Sequence, residues 1–67
     1  MKEYEFSILR GRLPLEAIIA TVESFDGQVG GNPRDFVVSG VNDDTAHLIW
    51  VVLTDLGVKV AYSEYTP

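Results

Sequence analysis

The chain has 67 residues, with ten acidic against five basic side chains and a formal net charge of -5. It is expected to form one small domain, 1–67, near the size at which a single core still suffices. The absence of cysteine excludes disulfide staples, thiol catalysis and Cys-based zinc sites, and the acid excess opposes direct docking on nucleic acid or anionic lipid.

The hydrophobic share, 46%, is that of a chain that can build a core rather than stay disordered. The longest uninterrupted apolar run, Leu48–Leu53, is far too short to span a bilayer. The opening "MKEYEFSI" lacks the basic-then-apolar layout of a secretory signal, so a cytoplasmic location is expected.

Residues 3–9 alternate, with Tyr4, Phe6 and Ile8 against Glu3, Glu5 and Ser7, which predicts a half-buried strand. After the "RGR" loop, Pro14 suits a first helical turn, where its missing N–H is no loss. Leu15, Ile18, Ile19, Val22 and Phe25 then recur at helical spacing, and Gly27 stands where a left-handed C-terminal cap would fall. "QVGGNPRD" is turn-forming, with a short edge strand near Gln28–Gly30. "DFVVSGV" shows little polar alternation, which predicts a central strand covered on part of both faces.

"NDDTAHLIWVVLTDLG" could be a buried strand, since Ile49, Val51 and Val52 are β-branched. Its length favours a helix, with Asn42 or Asp43 as N-cap and Gly57 as stop. On that helix Leu48, Ile49, Val52, Leu53 and Leu56 make the predicted apolar face. Asp43, Asp44, His47, Thr54 and Asp55 make the opposite arc. "VKVAYSEY" closes the chain as a strand with Val58, Val60 and Tyr62 inward and Lys59, Ala61 and Ser63 outward. This order predicts an α+β two-layer sandwich with two helices on one face of an antiparallel or mixed sheet. With the short strand it is a ferredoxin-like βαββαβ arrangement; without it, a three-stranded βαβαβ sheet remains.

No constellation of catalytic type stands out. Asp43, Asp44 and His47 would be neighbours on a helix, but one histidine cannot supply a His-rich metal set. Acidic residues in a first turn are favoured by the unpaired N–H groups and the macrodipole, so these read as helix-start residues. The glycines of "DGQVGGNP" lack the Gly-Lys-Ser/Thr of a phosphate loop and precede a strand. Arg10, Arg12 and Arg34 would bind an anion only if their two loops share one end of the sheet; pairing with the surplus acids is the simpler expectation. No serine sits in a nucleophile elbow.

What remains is surface. Glu3 and Glu5 lie on the strand face away from the helices, and Trp50 and Val51 lie near Asp44, His47 and Asp55 on the second helix. These seven residues, with Asp43, are therefore the candidate protein-binding set: Glu3, Glu5, Asp43, Asp44, His47, Trp50, Val51 and Asp55. In size, acidity and want of a catalytic kit the chain resembles small phage-encoded inhibitors of bacterial defence, anti-CRISPR proteins among them. The resemblance covers gross properties of the whole chain and no motif, so it carries over no functional residue. It implies a non-enzymatic protein without cofactor or metal, acting in the host cytoplasm. There it would dock on the basic, nucleic-acid-binding surface of a larger host protein, without itself touching nucleic acid or membrane. The alternative is a small regulatory or ligand-binding domain of ferredoxin-like type, acting as a homodimer.

Overall fold

The computed structural model describes residues 2–65. The order is β1 (Lys2–Arg10), α1 (Leu15–Glu23), β2 (Gln28–Gly31), β3 (Asp35–Val41), α2 (Asp43–Asp55) and β4 (Lys59–Tyr65). The strands form one sheet in the order β2-β3-β1-β4, and every neighbouring pair is antiparallel. It follows that β1 and β2 run parallel with β3 between them, and β3 and β4 run parallel with β1 between them. The short second strand exists, so the sheet has four strands rather than three.

All buried sheet side chains lie on one face. Tyr4, Phe6 and Ile8 of β1 alternate with exposed or half-buried residues, as a strand with one covered face requires. Cross-strand register then aligns Phe36, Phe6 and Tyr62 in one row over β3, β1 and β4. Their rings stack, with centroids 5.4 and 5.0 Å apart. The helices supply the other layer through Ile18, Val22, Ala46, Ile49 and Leu53, which join the sheet residues in one core. The opposite sheet face carries Glu3, Glu5, Ser7, Ser39, Ala61 and Ser63, and among the described residues no element covers it.

β3 is central, as its sequence predicts, but only one of its faces is covered by a layer; on the other, Val37 and Ser39 are half-buried by neighbouring side chains. The weak alternation has another cause. Lys2 pairs with Val41 but Glu3 pairs with Ser39, so Gly40 is an extra residue, a β-bulge with φ +79°. Phe36 and Val38 point at the helices; after the bulge, Val41 does too.

α1 follows Pro14, which is the N-cap residue in extended conformation, one position earlier than a first-turn proline. Its carbonyl accepts from the N–H groups of Ala17 (3.0 Å) and Ile18 (3.3 Å). Ile18 and Val22 are fully buried, Ile19 and Phe25 are half-buried, and Leu15 stays exposed. The expected cap at Gly27 is displaced: the left-handed residue is Asp26, φ 62°. The N–H of Asp26 donates to the Glu23 carbonyl and that of Gly27 to the Val22 carbonyl, the bond pair of a Schellman end. Gly27 is required for space instead. A Cβ there would lie 2.9 Å from Val41 Cγ1 and 3.0 Å from Val22 Cγ1.

α2 begins at Asn42, whose Oδ1 accepts the Thr45 N–H at 2.8 Å, and stops at Gly57 with φ +99°. Its buried stripe is Ala46, Ile49 and Leu53, with Trp50 half-buried beside it. Leu48, Val52 and Leu56, expected inside, are 50%, 36% and 51% exposed. The helix is turned because Trp50 reaches β4, where its Nε1–H donates to the Val60 carbonyl at 2.7 Å. A large ring with one polar atom gains most at a core edge, where the ring is dry and the N–H is paired.

Candidate functional site

The antiparallel register sorts the charges by end. The start of β1, the ends of β3 and β4 and the start of α2 share one end of the sheet. Glu3, Asp43, Asp44 and Glu64 lie there. Glu23 and Asp26, at the close of α1, join them through Asp26, whose carbonyl lies beside Gly40. Six acids at this end face one base, Lys2. The other end holds Arg10, Arg12, Arg34 and Lys59 with Glu16, Asp35 and Asp55, and Arg10 sits directly opposite Lys59. A chain of net charge -5 is thus strongly acidic at one end and close to balanced at the other.

Four side chains link up at the acidic end. Tyr4 lies beneath the first turn of α2 and donates its hydroxyl hydrogen to Asp43. Lys2 Nζ sits 3.4 Å from Asp43 Oδ2 and 3.0 Å from Glu64 Oε1. The hydrogen bond to Asp43 pushes the Tyr4 phenol up to about 12, because ionising it would remove the donor and set two negative charges together. The same bond, helped by Lys2, holds the Asp43 carboxyl below its ordinary value. Glu64 and then Asp43 raise the Lys2 ammonium. The ion pairs are exposed and of small energetic worth; the Tyr4–Asp43 bond sets where α2 begins relative to β1. Among the described residues Asp44 has no such partner, and it is exposed at the helix start.

The structure does not gather the sequence-predicted residues into one patch. Glu3 and Glu5 are on the open sheet face, whereas Asp44, His47, Trp50, Val51 and Asp55 belong to the helix layer on the other side. Asp55 lies at the basic end. Glu3, Asp43 and Asp44 share the acidic end. His47 and Trp50 are brought together, their rings stacked at 5.5 Å, and His47 Nδ1 is hydrogen-bonded to the Tyr62 hydroxyl at 3.1 Å. Val51 is half-buried rather than an exposed centre. Asp43 and Asp44 occupy the first turn of α2 as helix-start acids, but the capping oxygen comes from Asn42.

Sequence reading passed over Glu64 and Asp26, which complete the acidic end, and over Tyr4 as the partner of Asp43. No local signal marks them, since each joins the cluster only through strand pairing. The charge pattern was nevertheless in the sequence: four of the five bases fall in residues 10–12, 34 and 59, each beside a turn. Among the described residues no group of three or more His, Asp or Glu side chains is placed to hold a metal, and no helix is long and apolar enough to cross a membrane. Comparison with family models, with curated protein sequences and with solved structures finds no match, so the acidic end stands on its own geometry.

Proposed function

We propose that this is a non-enzymatic binding protein whose acidic end docks on a basic surface of a larger protein, and that the surface is one that otherwise holds nucleic acid. The observation that carries the reading is the segregation of charge: Glu3, Asp26, Asp43, Asp44 and Glu64 crowd one end with Lys2 as the lone base. Clustered carboxylates create a local negative field that steers encounter with a cationic partner. They can also occupy positions that phosphates would take, the manner of action of the anti-defence inhibitors the chain resembles. In the frame that presents them, the Tyr4–Asp43 hydrogen bond ties the start of α2 to β1, and Lys2 bridges Asp43 and Glu64 across the surface. The strand order, with each crossover enclosing a strand of the other half, supports a ferredoxin-like assignment for that frame.

The test is affinity capture from bacterial lysate at low and high salt, with the captured proteins identified by mass spectrometry. Nucleic-acid-binding proteins should be retained at low salt and lost at high salt. Glu3→Lys and Asp44→Lys should abolish capture, while Asp55→Lys, at the other end, should leave it intact. Equal capture by all three variants would reject the acidic end as the docking surface.

A specific feature favours a second reading, a homodimeric ligand-binding domain: β4 leaves one seven-residue edge of the sheet unpaired. Sedimentation of the free protein over a range of concentrations separates the two, since edge pairing requires a dimer.

A further inference from the structure

At the end remote from the acidic cluster, the loop after β1 and the turn before β3 enclose a half-open cavity of about 300 Å³. It is lined by Ile8, Gly11, Arg12, Leu13, Pro33 and Arg34. The two arginine-bearing loops therefore do share one end of the sheet. We infer that this cavity is a binding site for a small aliphatic carboxylic acid, its carboxylate held by Arg12 and Arg34 and its chain lying on Ile8, Leu13 and Pro33.

The walls are preformed. Asn32 Oδ1 accepts the N–H groups of Arg34 and Asp35, each at 2.9 Å, and the Asn32 N–H donates to the Asp35 carbonyl at 3.1 Å, which locks the turn carrying Pro33 and Arg34. The Arg34 carbonyl in turn accepts the Ile8 N–H at 2.8 Å, fixing that turn against β1. On the other side Gly11 has φ +88°, and a Cβ there would lie 2.9 Å from Val58 Cγ1, so the loop can follow this path only with glycine.

The chemistry of the lining selects the ligand. Three apolar side chains make a surface for a hydrocarbon body, and two guanidinium groups offer paired N–H donors that match the geometry of a carboxylate. Among the described residues neither arginine side chain takes part in an ion pair or hydrogen bond, so both remain available to an anion. Asp35, next to Arg34 in sequence, is engaged elsewhere, accepting from Ser7 Oγ at 3.0 Å on the open sheet face. The volume equals about ten water molecules, enough for a short acid.

Hexanoate is the probe, with hexan-1-ol and inorganic phosphate as its uncharged and chainless counterparts, each titrated into the full chain and followed by amide NMR. Hexanoate should shift the signals of Gly11, Leu13 and Arg34 saturably and bind at least about tenfold more tightly than either counterpart, as expected for a charge-assisted hydrogen-bonded anion. Arg12→Gln and Arg34→Gln should each weaken hexanoate about tenfold and leave hexan-1-ol unchanged; the same spectra report that the variants are folded. Hexanoate and hexan-1-ol binding with equal affinity, or shifts mapping to another part of the protein, would overturn the inference. Because the cavity lies at the opposite end from Glu3 and Asp44, lysate capture by the acidic end neither supports nor weakens it.

Discussion

Tyr4, in the middle of the core face of β1, donates its hydroxyl hydrogen to Asp43, the first residue of α2. The bond couples stability to pH at both extremes. The folded-state phenol titrates at about 12 against an ordinary 10.0, so the unfolded chain releases this proton first. Stability from Tyr4 is complete below about 10 and lost as pH rises from there to about 12. Asp43 acts in the opposite sense: its contribution is complete above the ordinary carboxyl value of 3.8 and disappears as pH falls through the lowered one. Urea midpoints across both ranges should fall at each end, and Tyr4→Phe should flatten the alkaline fall and reduce the acid one. An unchanged alkaline slope in Tyr4→Phe would assign the effect to another group.

The end of α1 makes opposite predictions for adjacent residues. Asp26 holds a left-handed conformation that costs an L-residue about 1 kcal/mol. It also places a negative charge at a helix C-terminus, where the macrodipole disfavours it. Asp26→Gly should therefore raise stability by about 0.5–1 kcal/mol. Gly27→Ala should lower it, because both close neighbours, Val41 and Val22, are fixed in the core. Thermal melts of the two variants should move in opposite directions.

Within α2 the split between inside and outside is equally sharp. Leu53 has no exposure, so Leu53→Ala should cost roughly 2–5 kcal/mol. In a domain this small that removes most of the folded population. Leu48 is 50% exposed, and Leu48→Gln should stay within about 0.5 kcal/mol. A large cost for Leu48→Gln in a denaturant titration would restore the helix orientation that its sequence pattern suggests.

Trp50→Phe isolates the indole N–H. The ring packing is largely kept and the bond to the Val60 carbonyl is lost, which should cost about 0.5–1.5 kcal/mol. Protection of the β4 amides from hydrogen exchange should fall with it, since α2 grips the edge strand at this point.

Periodicity made the elements legible: alternation in 3–9 and 58–62, helical spacing in both helices, and Gly57 and Asn42 as their punctuation. It could not fix the rotation of α2, because seven of the thirteen residues from Asp43 to Asp55 are apolar, and the arc they fill is wider than the stripe a sheet can cover. Trp50 decided the matter through one hydrogen bond to a strand that lies outside the helix. The candidate site was legible only in part. Asp43 and Asp44 are neighbours in sequence, whereas Glu3 and Glu64 meet them through pairing between β1 and β4, a relation carried by topology and by no local pattern.

The additional residue at Gly40 has a consequence for how the chain leaves β3. An unbroken pleat would deliver Val41 to the bare side of the sheet, and the polypeptide would depart from the wrong surface to start its second crossover. Deleting that single glycine would remove the extra residue and leave Val41 on its present side, whereas straightening the strand with the glycine kept would reverse the side on which everything downstream must be laid down.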